Sequence, residues 1–183
     1  MTSREFYRAV DQVLRPSLEV QGFTRIKVSS SAWVKPLGER FVLLQVEKGV
    51  KKPYIKPIGG QFHVWLHLVD KPILSEAHSE TSISFLRYHS DDDLAEMKEI
   101  RQAILRKILS QTEFESEFDK TMLEISRPLM ELGLGHDFNR RQPWPLEYLD
   151  CEDVITWARF VASKVPATFD GVSKEGDSAL RRA

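Results

Sequence analysis

The sequence predicts an α+β domain: an antiparallel meander of about five strands, preceded by one helix and followed by a helical C-terminal half packed on one sheet face. Three observations carry this. Apolar residues recur at helical spacing over the first twenty positions. They alternate with polar ones in several short runs between residues 24 and 89, with turn residues between the runs. They return to helical spacing from residue 90 onward.

Thr2-Ser3-Arg4-Glu5 reads as a capping box, Thr2 at the N-cap and Glu5 at the third helical position. Phe6, Val10, Val13, Leu14 and Leu18 follow as one face. Pro16 is expected to kink this helix or end its regular part near Arg15, and Gly22 suits the terminus. Thr24 to Val28 and Ala32 to Lys35 read as short strands, with Pro36 to Glu39 as a turn. Phe41 to Glu47 is a strong strand: Val42, Leu44 and Val46 point one way, Phe41, Leu43 and Gln45 the other. Gln61 to Val69 sets Val64, Leu66 and Leu68 opposite His63, Trp65 and His67. Ser82 to His89 is read as a further strand. No helical pattern intervenes between these runs, which favours antiparallel neighbours.

Ser90 then caps a helix whose first turn holds Asp91, Asp92 and Asp93, where the helix dipole favours negative charge. Its stripe is Leu94, Met97, Ile100, Ile104 and Ile108. Phe114, Phe118, Met122, Ile125, Leu129 and Leu132 form the next, with a bend expected at Pro128 and a stop at Gly133-Leu134-Gly135. Residues 136 to 146 hold Pro143, Trp144 and Pro145 and are expected to be irregular. Asp150 caps a last helix, with Val154, Trp157, Ala158, Val161 and Val165 inside and Pro166 closing it. The domain is expected over 1–169, with 170–183 a flexible tail.

The 183 residues suffice for one domain with a real core. Lys and Arg total 26 against 27 Asp and Glu. That balance argues against a surface committed as a whole to nucleic acid or anionic lipid. Cys151 stands alone, so an internal disulfide is excluded and a reducing, cytoplasmic setting is expected. The first residues are polar, unlike a secretory leader, and no apolar run approaches a membrane span.

Several residues together carry a family resemblance. Arg15-Pro16-Ser17-Leu18 runs into Gln21-Gly22-Phe23-Thr24. Ala32-Trp33-Val34 follows, then a strand with Gln45, then the mixed polar and aromatic strand from Phe62 to Leu68. This order resembles DUF4304, a family of bacterial proteins of unknown function. The resemblance runs over the first half of the chain and thins out in the helical half. Its most specific piece is the Leu-x-x-x-Gly-Phe join, Leu18 to Phe23. It implies a fold and a bacterial origin, and no reaction.

Three polar clusters are candidates for function. His63 and His67 lie four apart, which on a helix would suit one zinc ion. On a strand four residues span about 13 Å, too far for a shared ion. One of them can instead pair with Gln45, Glu47 or His89; the simpler reading is a polar face centred on Trp65. The run from Lys48 to Gly60 holds Lys51, Lys52, Tyr54 and Lys56. These can hold a phosphate or an acidic partner, or only keep a hairpin soluble. His136 to Arg141, followed by Trp144, offers Arg140 and Arg141 to a carboxylate or phosphate, or straps a loop over the core.

No phosphate loop, nucleophile elbow or metalloprotease helix is present, and no cofactor or metal is expected. The leading expectation is a non-enzymatic protein-binding module, with an immunity or antitoxin role as one version. The first alternative is an enzyme or small-ligand protein, with a pocket between sheet and helices using His63, His67, Arg87 and His89. The second is a nucleic-acid binder using the lysine run and Arg140-Arg141.

Overall fold

The structure is a computed structural model that describes residues 1–26, 31–49, 60–76, 82–111, 114, 116–134 and 145–180, with backbone alone at 76, 83–84, 133–134 and 175–180. Its order is α1 (Ser3–Val20), β1 (Thr24–Arg25), β2 (Ser31–Leu37), β3 (Arg40–Lys48), β4 (Gly60–Val69), β5 (Ser82–Ser84), α2 (Asp91–Leu109), α3 (Glu117–Leu134), β6 (Leu146–Tyr148) and α4 (Cys151–Leu180). The α+β prediction holds: a helix, an antiparallel meander in the order β1-β2-β3-β4-β5, then a helical half. Strand β6 joins the same edge of the sheet as β5, so β4 pairs with β6 at Gly60–Phe62 and with β5 at Trp65–His67.

The Thr2 capping box closes as expected: the Glu5 N–H donates to Thr2 Oγ1 at 3.2 Å, and Glu5 Oε2 accepts from the Thr2 N–H at 2.7 Å. The Leu18–Phe23 join is a Schellman end. The Phe23 N–H reaches the Leu18 carbonyl at 2.9 Å, the Gly22 N–H reaches Glu19 at 3.0 Å, and Gly22 takes φ +82. Leu18 and Phe23, the two side chains this motif brings together, are both in the core. Pro16 does not end the helix, which runs to Val20. Leu14 and Leu18 on either side of it are fully buried, and that packing offsets the roughly 3 kcal/mol cost of an interior proline.

The register of β2, β3 and β4 sorts residues into two faces. Trp33, Val42, Leu44, Val46, Phe62, Val64 and Leu66 face α1 and α4 and join Phe6, Val10, Leu14, Trp157 and Val161 in one core. Asp11 of α1 fastens the helix to the sheet: its carboxylate accepts from Ser31 Oγ at 2.7 Å and meets Arg25 at 2.8 Å. Trp157 Nε1 of α4 donates to the Glu147 carbonyl of β6 at 2.8 Å.

Three further expectations are corrected. The strand expected over Ser82 to His89 is only Ser82–Ser84. The chain then coils into a 3-10 turn, Phe85–Tyr88, that buries Phe85 and Leu86. The stretch expected to be irregular ends in β6, whose alternation Leu146-Glu147-Tyr148 buries its two apolar residues. Finally, Pro166 does not close the last helix, which runs on to Leu180. Val172 is 2% exposed, and the Lys35 ammonium lies 3.7 Å from the centre of the Phe169 ring.

Ser90 and Asp93 form the second capping box, as read from the sequence in part: Ser90 caps, and Asp93 reaches back at 2.8 Å. Asp150 accepts from the N–H groups of Glu152 and Asp153 at the start of α4. Lys164 of α4 binds Asp93 and Glu96 of α2, each at 2.7 Å. Burial would raise the Asp93 carboxyl, but hydrogen bonds from Lys164 and Ser90 bring it down to about 2 from 3.8.

The docking of the α4 end makes a prediction of unusual sign. Gly→Ala in an exposed helix gains about 1 kcal/mol. At Gly171 a methyl would stand 2.7 Å from Tyr88 Cγ. Gly171→Ala is therefore expected to lower stability in urea by roughly 1–2 kcal/mol, as overpacking does; a gain would mean that this end of α4 is not seated on Tyr88. Lys164→Met is expected to cost roughly 1–2 kcal/mol at pH 7. The Asp93 part of that stability is full above pH 3.8 and lost as the pH falls through about 2. Stability measured between pH 7 and 2 in both proteins checks this: the gap between them should close toward the acid end.

Candidate functional site

Strand alternation places His63, Trp65 and His67 in a row on the sheet face turned away from α1 and α4. Register sets a β3 residue opposite each: Glu47 beside His63, Gln45 beside Trp65, Leu43 beside His67. The indole N–H of Trp65 donates to Glu47 Oε2 at 3.1 Å. The His63 ring stacks on the indole with centroids 5.5 Å apart and planes at 24°. His67 flanks the other side at 6.4 Å and 33°. The three rings form a ladder with the indole in the middle.

This face lies open only in part. Ala32, Leu43, His67 and Val69 point to it and are buried, His67 at 5% exposure. Strand β3 reads Phe41-Val42-Leu43-Leu44, apolar on both faces, so neither side of it is suited to water. The face opens toward Glu47, which is exposed, and toward Trp65, His63 and Gln45, which are half-buried.

Burial pushes the His63 imidazole below its ordinary value, and the charges of Glu47 and Glu147 pull it back only in part. Its Nδ1 is buried and makes no hydrogen bond. Glu147 is itself held by Arg101 of α2 through two hydrogen bonds of 3.1 and 3.0 Å, both side chains 13% exposed. Of the partners suggested for the histidines, Glu47 is in place and Gln45 lies alongside. Glu147 was not foreseen, because the strand that carries it was not recognised.

His89 and Arg87 do not join this row. His89 is buried between Phe85, 4.7 Å away by ring centres, and Phe160 of α4 at 5.8 Å. Arg87 is exposed, with its guanidinium 6.0 Å from the Tyr88 ring centre. A set of four residues sharing one pocket between sheet and helices is thus divided between the two sides of the sheet. Between the layers, the structure holds a cavity of about 10 Å³ lined by Phe23, Leu44, Phe85 and Phe169 among others, space for one water at most. Among the described residues no group of three or more His, Cys, Asp and Glu side chains is placed to hold a metal. Cys151 is exposed at the first position of α4. Lys51, Lys52, Tyr54, Lys56, Arg140 and Arg141 lie outside the described residues.

No family model, curated protein or solved structure matches the chain. No helix among the described residues is long and apolar enough to cross a membrane.

The His63 environment predicts an acid-side effect of definite sign. Above about pH 7.5 the ring is neutral folded and unfolded, and contributes nothing to pH dependence. Below 6.5 the unfolded chain takes a proton that the folded one withholds, so stability falls until the lowered folded value is passed. His63→Gln should remove this pH dependence. Melting temperatures of the two proteins, compared from pH 7.5 to 5, should shift steadily in favour of the variant as the pH drops; a constant difference would show that His63 titrates normally.

Proposed function

We propose that this chain is a non-enzymatic protein-binding module whose contact face is centred on Trp65. The observation that supports this is the placement of the indole. It is half-buried, locked on the ten-residue strand β4, clamped between two imidazoles and hydrogen-bonded to an exposed carboxylate. A rigid tryptophan with a polar rim is the kind of residue that dominates protein interfaces, because ordering it on binding costs little further entropy. A concrete version is an immunity or antitoxin role in a bacterium, in keeping with the resemblance to DUF4304.

The test is affinity capture from the native cell, with the wild type and Trp65→Ala run side by side and captured proteins identified by mass spectrometry. A specific protein retained by the wild type and lost from Trp65→Ala, with melting temperatures within a few degrees, is the expected result. Affinity for that protein, once purified, should drop at least tenfold, as for an interface anchor. A bound small molecule with no specific protein partner would overturn the proposal in favour of a ligand-binding protein or enzyme.

A further inference from the structure

Glu47 stands directly across from His63 in the β3–β4 register. Its carboxylate nevertheless leans along the sheet to Trp65, two residues on, and accepts the indole N–H at 3.1 Å. Residues directly opposite on antiparallel strands have Cβ atoms about 5 Å apart, and diagonal neighbours lie about 7–8 Å apart. The longer reach is the one made. The imidazole is left with Nδ1 buried and without a hydrogen bond, and Glu47 acts on it through its charge alone. While the ring is neutral, imidazole and indole compete for the carboxylate as neutral donors, and the indole holds it.

The groups around His63 decide what a proton on the ring would do. Two carboxylates face it, Glu47 from β3 and Glu147 from β6. Glu147 is fixed: Arg101 of α2 holds it through two hydrogen bonds, both side chains 13% exposed. Glu47 is exposed, and its one bond is to the indole. On its own strand His63 has Trp65 stacked at 5.5 Å and 24°, and beyond it the buried His67. An imidazolium over an indole face is held there by cation–π attraction, so protonation leaves the ring in place. A charge-assisted hydrogen bond is roughly twice as strong as a neutral one. The carboxylate that is able to move therefore follows the charge.

We propose that Glu47 is a two-position latch: it clamps the Trp65 indole while His63 is neutral, and crosses to the imidazolium once His63 takes a proton, leaving the indole N–H to water. Acid thereby unlocks the side chain at the centre of the contact face. Burial of His63 places this change on the acid side of the ordinary 6.5. As regulation of binding, the latch rests on the reading of Trp65 as a protein contact; as a rearrangement of the free protein, it does not.

The test is a titration of the full chain from pH 7.5 to 5 by proton–nitrogen NMR. It follows the Trp65 indole N–H, assigned by its absence from Trp65→Phe, and the ring protons of His63. The indole proton should move upfield as it loses the carboxylate, with the same midpoint as the His63 ring. In His63→Gln it should stay in place. In Glu47→Gln, whose amide can hold the indole but has no charge to follow, most of the movement should be lost while His63 still titrates. Backbone amide signals verify that each variant is folded. An indole that does not move in the wild type overturns the proposal. So does movement that persists in His63→Gln, which assigns it to His67. So does equal movement in Glu47→Gln, which assigns it to the stacked imidazolium alone. No partner enters this measurement, so its failure leaves the protein-binding reading standing, and a failed capture leaves the latch standing.

Discussion

The two-residue period of β4 is the constraint on which the remaining architecture rests. It is paired along both edges, to β3 over Phe62–Val69 on one side and to β6 at Gly60–Phe62 and β5 at Trp65–His67 on the other. A slip of one residue would carry Phe62, Val64 and Leu66 out of the core and put His63, Trp65 and His67 into it. The cost of burying two imidazoles and an indole N–H against α1 and α4 fixes the register. The same alternation that builds the core therefore produces the polar ladder on the other face, and the candidate site is a consequence of the sheet rather than an addition to it.

Around that sheet, the helices are held by what happens at their ends. Thr2, Ser90 and Asp150 each satisfy N–H groups that no helical carbonyl can reach. The Schellman end at Gly22 turns the chain from α1 into β1 and leaves Phe23 against the core. Lys164 then ties the first turn of α2 to the middle of α4, which shares the sheet face with α1. Polar contacts thus set where each helix begins and how it is aimed, while apolar burial holds it there.

The parts legible in the sequence are those governed by local rules. The capping boxes, the turn at Gly22 and the alternation of β3 and β4 depend on neighbours within a few residues, and each is where the pattern puts it. The misread parts depend on distant contacts. Pro16 was read as a kink or an end of the regular helix and Pro166 as an end, yet both helices continue, because Leu18 and Val172 beyond them are buried by partners far away in sequence. Strand β6 is three residues long and exists only because β4 offers an unpaired edge at Gly60–Phe62. Within the candidate site, His63, Trp65 and His67 fall together as the alternation requires. The separation of His89 follows from the 3-10 turn at Phe85–Tyr88, which no period-two pattern announces.

Helix α3 shows a deeper limit of periodicity. An apolar row at helical spacing states that something covers it, and nothing in the row says whether the cover belongs to the same chain. Two rows on α3 meet that description in part, and the mixed one, with Asp119 and Ser126 in it, is the one buried on α2. The purer row remains in water. A similar distinction separates the ladder on β4 from a catalytic arrangement. Strand residues two apart stand about 6.6 Å from each other along one line. Groups that act together on one reacting atom must converge to about 3 Å of it from several elements. His63, Trp65 and His67 are parallel rather than convergent, and parallel groups on a rigid strand present a surface. It is the direction of these side chains, more than their identity, that favours contact over chemistry.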